Sequence, residues 1–181
     1  LLRSFFSREA FDGTVSLHTP TLQTSTYSKE FAYHPKVAPH PSVSDKCGLN
    51  PLTEYFQRNQ GRLIHKWMHY FDIYHRHFSR FVGRNPRVLE IGVSHGGSLQ
   101  MWRHYFGPGA HIVGLDADCL CAALDTEDLR VIIGDQGDRA FMRKFAANEG
   151  PFDIVIDDGG HMMDQQIISF EELYPVTAPD G

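Results

Sequence analysis

The sequence lacks a long hydrophobic run, a cluster of basic residues and a cysteine framework. No apolar stretch approaches the roughly 20 residues that a membrane-spanning helix needs, so we expect no membrane segment. The formal net charge is -5, and Lys and Arg never form a run longer than two, which argues against a nucleic-acid partner. Cys47, Cys119 and Cys121 lack paired spacing, so we expect free thiols. These absences favour a cytoplasmic protein without fixing the compartment.

Two regions of the chain differ in their pattern. Residues 1–51 show no sustained period and carry prolines that interrupt any long helix or central strand, so we predict an irregular N-terminal arm. Residues 52–181 have the periodic hydrophobic pattern of one α/β domain. The chain begins at Leu1 rather than Met and ends in turn residues at Pro179–Gly181, so we expect this domain to be truncated at its C-terminal end.

A first helix is predicted from the spacing of large apolar side chains after residue 60. These side chains recur at i, i+3, i+4 and i+7, which predicts one helix over about residues 61–80. Four histidines lie in this stretch. His65 and His69 are four positions apart and could share a metal ion, although solvated or helix-packing histidines are favoured.

Short apolar segments then alternate with helical ones. The predicted strands are 88–91, 111–115, 129–133 and 152–156, and the predicted helices are 98–106, 138–148 and 164–173, with a loop or short helix over 117–128. This alternation is typical of a mainly parallel sheet with helices on both faces. Trp102 and Tyr105 are expected to pack in the core.

A glycine-rich turn joins the first predicted strand to the helix that follows. Gly92 and Gly96 belong to this turn, Ser98 follows it, and Glu90 precedes it. Missing side chains let a ligand approach the backbone, and free helix N–H groups face that ligand, so a nucleotide-like molecule is expected. A dinucleotide turn has the pattern G-x-G-x-x-G, and the glycine that admits its pyrophosphate is absent here. The pattern therefore favours S-adenosylmethionine, whose amine can meet a carboxylate, and an NAD-dependent oxidoreductase is the alternative.

Acidic residues lie at or near the carboxyl end of every predicted strand, which is where open parallel sheets bind ligands. Asp116 lies 24 residues after Gly92, where an acid accepts hydrogen bonds from ribose hydroxyls, unless it is a solvated loop acid or a cap. Asp135 could accept from an adenine amino group or could cap the helix that begins near Asp138. The full set is Glu90, Asp116, Asp135, Asp157 and Asp158. His95, inside the glycine turn, is expected to face solvent or line the substrate site.

Three motifs resemble class I S-adenosylmethionine-dependent methyltransferases, in particular the macrocin and mycinamicin sugar O-methyltransferases and related cephalosporin hydroxylase-like proteins. They are residues 88–102, 134–136 and 154–161, and the resemblance extends over about residues 62–181. It implies a Rossmann-like methyltransferase fold, of which residues 52–181 are a partial domain. It also implies a cofactor site, made of Glu90, Gly92, Gly96, Ser98, Asp116, Asp135 and Gln136.

The resemblance further implies metal-assisted methylation of a sugar or another vicinal-hydroxyl acceptor. Asp158 is implied as a Mg²⁺ ligand, although Asp157 could serve instead, and His161 is implied as the general base. A divalent ion lowers the pKa of a hydroxyl group, and an imidazole can accept its proton near neutral pH. The remaining ligands are expected beyond residue 181, so we expect the 181-residue chain alone to be inactive. A homo-oligomer is possible, and a non-catalytic cofactor-binding member of the family is a second alternative.

Overall fold

The computed structural model describes residues 50–179, so the predicted arm lies outside the described residues up to residue 49. The helices are α1 (Pro51–Arg58), α2 (Met68–Phe78), α3 (Gly97–Phe106), α4 (Arg139–Glu149) and α5 (Met163–Leu173). The strands are β1 (Arg87–Ile91), β2 (His111–Asp116), β3 (Leu129–Ile133) and β4 (Ile154–Asp157). Short 3-10 helices occupy Ser79–Phe81, Cys119–Leu124 and Tyr174–Val176.

The four strands form one parallel sheet in the order β3-β2-β1-β4. The chain builds outward from β1 through β2 to β3 and then crosses back to place β4 on the other side of β1. Val88 accordingly pairs with Ile112 on one side and with Ile154 on the other. Such a reversal of strand order opens a crevice at the carboxyl ends of β1 and β4, between which the order reverses. The predicted α/β fold with a parallel sheet is confirmed.

Helices cover both faces of the sheet because successive strand residues point to opposite faces. Val88 belongs to the cluster that contains Phe71 and Trp102, whereas Leu89 belongs to the cluster that contains Phe145 and Leu173. Trp102 is fully buried and Tyr105 is nearly so, which confirms both as core residues. No helix among residues 50–179 is both long and apolar enough to span a membrane.

The prediction of one helix over residues 61–80 is wrong in its first third. Residues 59–67 are irregular, and α2 begins only at Met68. Asn59 turns the chain locally, since its side chain accepts a hydrogen bond from the Gly61 N–H (3.0 Å) and donates to the Arg62 carbonyl (2.8 Å). Ile64 nevertheless packs in the same cluster as α2, which explains why the hydrophobic period ran on. Residues 59–67, which connect α1 to α2, form what we call the crossing segment.

The sequence predicted that the arm extends to residue 51, but helix α1 already begins at that residue. Pro51 is its first residue, and the Asn50 side chain caps it by accepting hydrogen bonds from the Leu52 and Thr53 N–H groups (3.1 and 3.0 Å). Proline suits the first helical position because it has no N–H to leave unsatisfied. The fourth strand begins at Ile154 rather than at residue 152, and Phe152 instead forms an isolated parallel bridge with Thr177.

Candidate functional site

A cavity of about 370 Å³ lies where the carboxyl ends of the strands meet the crossing segment. Its volume is within the range of small-molecule sites, which is roughly 300–1,000 Å³. Most of the predicted site residues line it, namely Gly92, Ser98, Asp116, Asp135, Gln136, Asp158 and His161. Glu90 and Gly96 are not among the lining residues. The topology therefore brings residues from four strand ends to one place, as their positions in the sequence predicted.

Glu90 faces the protein interior rather than the cavity. Its side chain is fully buried, and it accepts a hydrogen bond from the Ser98 hydroxyl at 2.6 Å. Its other carboxylate oxygen lies 2.8 Å from the Lys66 ammonium. The sequence predicted that Glu90 would meet the amine of a ligand, but a ligand in this cavity reaches Lys66 before it reaches Glu90.

Lys66 is the site residue that the sequence did not reveal. Its side chain is 2% exposed, and its Nζ lies 2.8 Å from Glu90 Oε1 and 2.6 Å from Asp158 Oδ2. Burial alone would lower the pKa of Lys66, but the carboxylates of Glu90 and Asp158 outweigh this effect and raise the pKa above its usual range. Lys66 is therefore a buried cation that joins β1 to the turn after β4. In the sequence, the role of Lys66 was marked only by its being a lone lysine among aromatic and histidine side chains. Its partners Glu90 and Asp158 are distant in sequence.

The glycines of the turn make room for other parts of the chain. Gly92 has a φ of +91°, and the backbone carbonyl of Asp158 passes where a β-carbon would lie. Gly97 packs equally closely against the carbonyl of Leu63 in the crossing segment. Gly96 has a φ of +76° and precedes α3 as its left-handed cap. The turn was predicted to leave its backbone open to a ligand, but these contacts show that it also packs against two other segments, the turn after β4 and the crossing segment.

Asp116 is held by backbone N–H groups at the tip of β2. Its Oδ2 accepts hydrogen bonds from Val93 (2.8 Å) and Ser94 (2.9 Å), and its Oδ1 accepts one from Asp118 (2.9 Å). Partial burial works to raise the pKa of this carboxyl, but the three backbone hydrogen bonds outweigh it, so the pKa is lowered. The Asp116 carboxylate thus connects the glycine turn to the end of β2, and it also lines the cavity.

This lowered pKa gives a pH-dependent stability. A carboxyl whose pKa is depressed on folding stabilises the protein above its unfolded pKa of about 3.9, and this contribution is lost as the pH falls through the folded pKa. We expect Asp116→Asn to unfold more readily than the wild type at about pH 6 and to lose less of its free energy of unfolding as the pH falls from about 5 to below 3. Urea denaturation at several pH values measures both effects. Asp164→Asn, which removes an exposed carboxylate from the first turn of α5, is the control. If the free energy of unfolding of Asp116→Asn fell with pH as steeply as that of the wild type, the prediction would be contradicted.

Asp135 is not the cap of α4. The cap is Asp138, whose carboxylate accepts hydrogen bonds from the Ala140 and Phe141 N–H groups (2.9 and 3.1 Å). Asp135 accepts from the Gly137 N–H at 2.7 Å and is exposed in the cavity wall. The helix-cap alternative for Asp135 is therefore wrong, and its carboxylate is free to meet a ligand.

Gln136 stabilises the turn that contains Asp158 and His161 by hydrogen bonds. Its side chain is buried, its carbonyl oxygen accepts from the Gly160 N–H at 2.5 Å, and its amide donates to the Ser169 hydroxyl at 3.0 Å. A weaker bond of 3.3 Å joins the same amide to Asp157. The residue was predicted to bind a cofactor directly, and it lines the cavity, but most of its polar capacity is used within the protein.

The turn after β4 presents Asp158 and His161 to the same cavity. Asp158 is one-third exposed, and His161 is exposed. Asp157 points instead toward Gln136 and does not line this cavity, which disfavours it as the alternative metal ligand. His95 is exposed and lies outside the cavity lining, with its ring Nδ1 3.0 Å from the Ser94 hydroxyl.

The fit to a divalent cation rests on one carboxylate. Within residues 50–179 no group of three or more His, Cys, Asp or Glu side chains could hold a metal. The pair His65 and His69 therefore belongs to no such group among these residues. Mg²⁺ prefers hard oxygen ligands and commonly keeps several waters, so a single carboxylate at a cavity wall suits it as one ligand. Asp158 is the carboxylate that the turn after β4 offers at this wall.

Comparison with known proteins places the chain near sugar-modifying enzymes, although no protein-family model matches it. It is 39% identical over 149 residues to demethylmacrocin O-methyltransferase of Streptomyces fradiae, which covers 77% of this chain and 36% of that protein. It is 42% identical over 145 residues to mycinamicin VI 2''-O-methyltransferase of Micromonospora griseorubida, which covers 76% and 35%. The chain thus spans about a third of the length of the curated relatives it matches.

A solved structure shares the fold. It is the MycE methyltransferase from the mycinamycin biosynthetic pathway, in complex with Mg, SAH and mycinamycin VI. The TM-score is 0.61 at 38% sequence identity, over 72% of this chain and 34% of that chain. The similarity in sequence and the similarity in structure thus point to the same group of proteins.

Proposed function

Because the chain is a homologue of the macrocin and mycinamicin sugar O-methyltransferases, within the class I S-adenosylmethionine-dependent methyltransferases, we propose that it forms the donor-binding part of such an enzyme. The observation that carries the proposal is the single cavity in which the glycine turn, Asp116 and the Asp158–His161 turn meet. One part of this cavity wall suits a nucleoside, and another part carries groups that can bind a cation and accept a proton.

The donor wall is formed by β1, β2 and β3. Asp116 accepts three backbone hydrogen bonds, yet its carboxylate also lines the cavity, where it can accept from a ribose hydroxyl. Asp135 lies at the next strand end and suits an amino group of the base. The turn at Gly92 presents backbone without a side chain to the amino-acid end of the donor. When bound, S-adenosylmethionine supplies a methyl carbon whose bond to sulfur breaks as the acceptor oxygen attacks it.

The acceptor wall is formed by the turn after β4. Asp158 would hold a magnesium ion, which lowers the pKa of a hydroxyl group bound to it. His161 would accept the proton of the acceptor hydroxyl at a ring nitrogen, as general base. The acceptor that fits this chemistry is a sugar or another molecule with vicinal hydroxyls. A homo-oligomer remains a prediction from the family resemblance.

Calorimetry on the full-length protein tests the proposal. We expect S-adenosylhomocysteine to bind and NAD to show no heat of binding, because the turn lacks the glycine that admits a pyrophosphate. Adenosine is the control, since it shares the groups expected to contact Asp116 and Asp135 and lacks the amino-acid end. Binding of NAD without binding of S-adenosylhomocysteine would favour the oxidoreductase alternative and overturn the proposal.

A further inference from the structure

We propose that Lys66 is a positioning residue that holds Asp158 in the orientation in which Asp158 binds the divalent cation. The inference deepens the proposed function and rests on it, because it concerns the same cavity wall. Lys66 lies in the crossing segment, outside every motif that resembles a methyltransferase. Its ammonium nevertheless contacts the Asp158 carboxylate at 2.6 Å.

Lys66 is itself fixed in place by Glu90. Both side chains are almost completely excluded from solvent, and Lys66 Nζ lies 2.8 Å from Glu90 Oε1. Ser98 holds the second oxygen of Glu90 at 2.6 Å. A fully buried carboxylate that lost its cation would be left uncompensated, so Glu90 keeps the ammonium at this position. Lys66 is therefore a rigid point from which Asp158 can be oriented.

The contact leaves one oxygen of Asp158 for a ligand. Oδ2 is bound by Lys66, and within residues 50–179 Oδ1 has no hydrogen-bond partner. The backbone of the turn is already set, because the Asp158 N–H donates to the Ile91 carbonyl at 2.9 Å and Gln136 holds the Gly160 N–H. The side-chain torsions of Asp158 are what remain to be fixed, and the Lys66 contact fixes them. Carboxylates that bind metals are commonly held in this way through the oxygen that does not coordinate.

Metal binding to the full-length protein tests the role of Lys66, with Mn²⁺ as the probe. We expect Lys66→Met to weaken Mn²⁺ binding by about 10- to 100-fold, the range seen when the partner of a metal ligand is removed. Lys66→Arg should recover part of this loss, because a guanidinium can also bridge two carboxylates. The affinity for adenosine, which lacks the amino-acid end that could reach Lys66, should change by much less. Lys144→Met is the matched control, since it removes an exposed lysine from α4, and it should bind Mn²⁺ like the wild type.

A second variant guards against simple unfolding of Lys66→Met, which leaves Glu90 buried without a counter-ion. The double variant Lys66→Met, Glu90→Gln removes that charge and should show the same weak Mn²⁺ binding. Wild-type or tighter Mn²⁺ binding by either variant would overturn the role of Lys66 and leave the proposed function intact. If the wild-type protein binds S-adenosylhomocysteine and no Mn²⁺, the metal part of the proposed function fails, and the role of Lys66 fails with it.

Discussion

Replacing His161 by alanine should lower the rate of methyl transfer by the full-length protein by about 10²–10⁴-fold, the usual contribution of a positioned general base. His161 is exposed and follows the glycines of the turn, so its removal leaves no cavity in the core. The donor wall is built from other strands, and the affinity for S-adenosylhomocysteine should therefore stay within about threefold of the wild-type value, a change smaller than 1 kcal/mol. Steady-state kinetics and calorimetry on the same preparation measure both quantities.

His95→Ala is the matched control for this experiment. His95 is also an exposed histidine beside a glycine, but it belongs to the turn after β1 and does not line the cavity. We expect its removal to leave the rate of methyl transfer nearly unchanged. A parallel loss of turnover and donor affinity in His161→Ala would mean that His161 acts through the structure of its turn rather than as a base. A similar rate loss in His95→Ala would mean that the effect is not specific to His161.

The sheet was predictable because its signals are local. Each strand is a short apolar run followed by glycine or acidic residues, and each following helix repeats its apolar residues with helical spacing. The carboxyl ends of parallel strands lie at one edge of the sheet, so the same signals were enough to gather Asp116, Asp135 and Asp158 around one cavity. Neither the family resemblance nor a ligand was needed for this step.

The parts of the site that the sequence did not reveal depend on contacts between distant residues. Lys66 meets Glu90 and Asp158, which lie 24 and 92 residues further along the chain, and no spacing rule connects them. The crossing segment was taken for helix because Ile64 continues the hydrophobic period, whereas packing against Gly97 decides its path. The contact between Glu90 and Lys66 was missed for the same reason, since a carboxylate beside a glycine turn gives no sign of a lysine 24 residues before it.

Gly92→Ala should destabilise the protein more than Gly107→Ala, although both glycines have nearly the same φ. Their φ values are +91° and +95°, so an alanine is strained at either position by about 1–3 kcal/mol. A β-carbon at Gly107 meets no atom within 4 Å, whereas one at Gly92 collides with the carbonyl of Asp158. We expect this collision to add about 1–3 kcal/mol to the loss in free energy of unfolding, as overpacking commonly does.

The same pair of variants tests how the cavity is built. Gly92 lies where β1 meets the turn after β4, and Gly107 lies at the other end of α3. Moving the Asp158 carbonyl away from an alanine at position 92 also moves the Asp158 side chain, so Gly92→Ala should lose donor and Mn²⁺ binding that Gly107→Ala retains. Urea denaturation and calorimetry measure these effects. Equal losses in the two variants would mean that the turn after β4 shifts freely against residue 92, so the close contact between them would not set the position of Asp158.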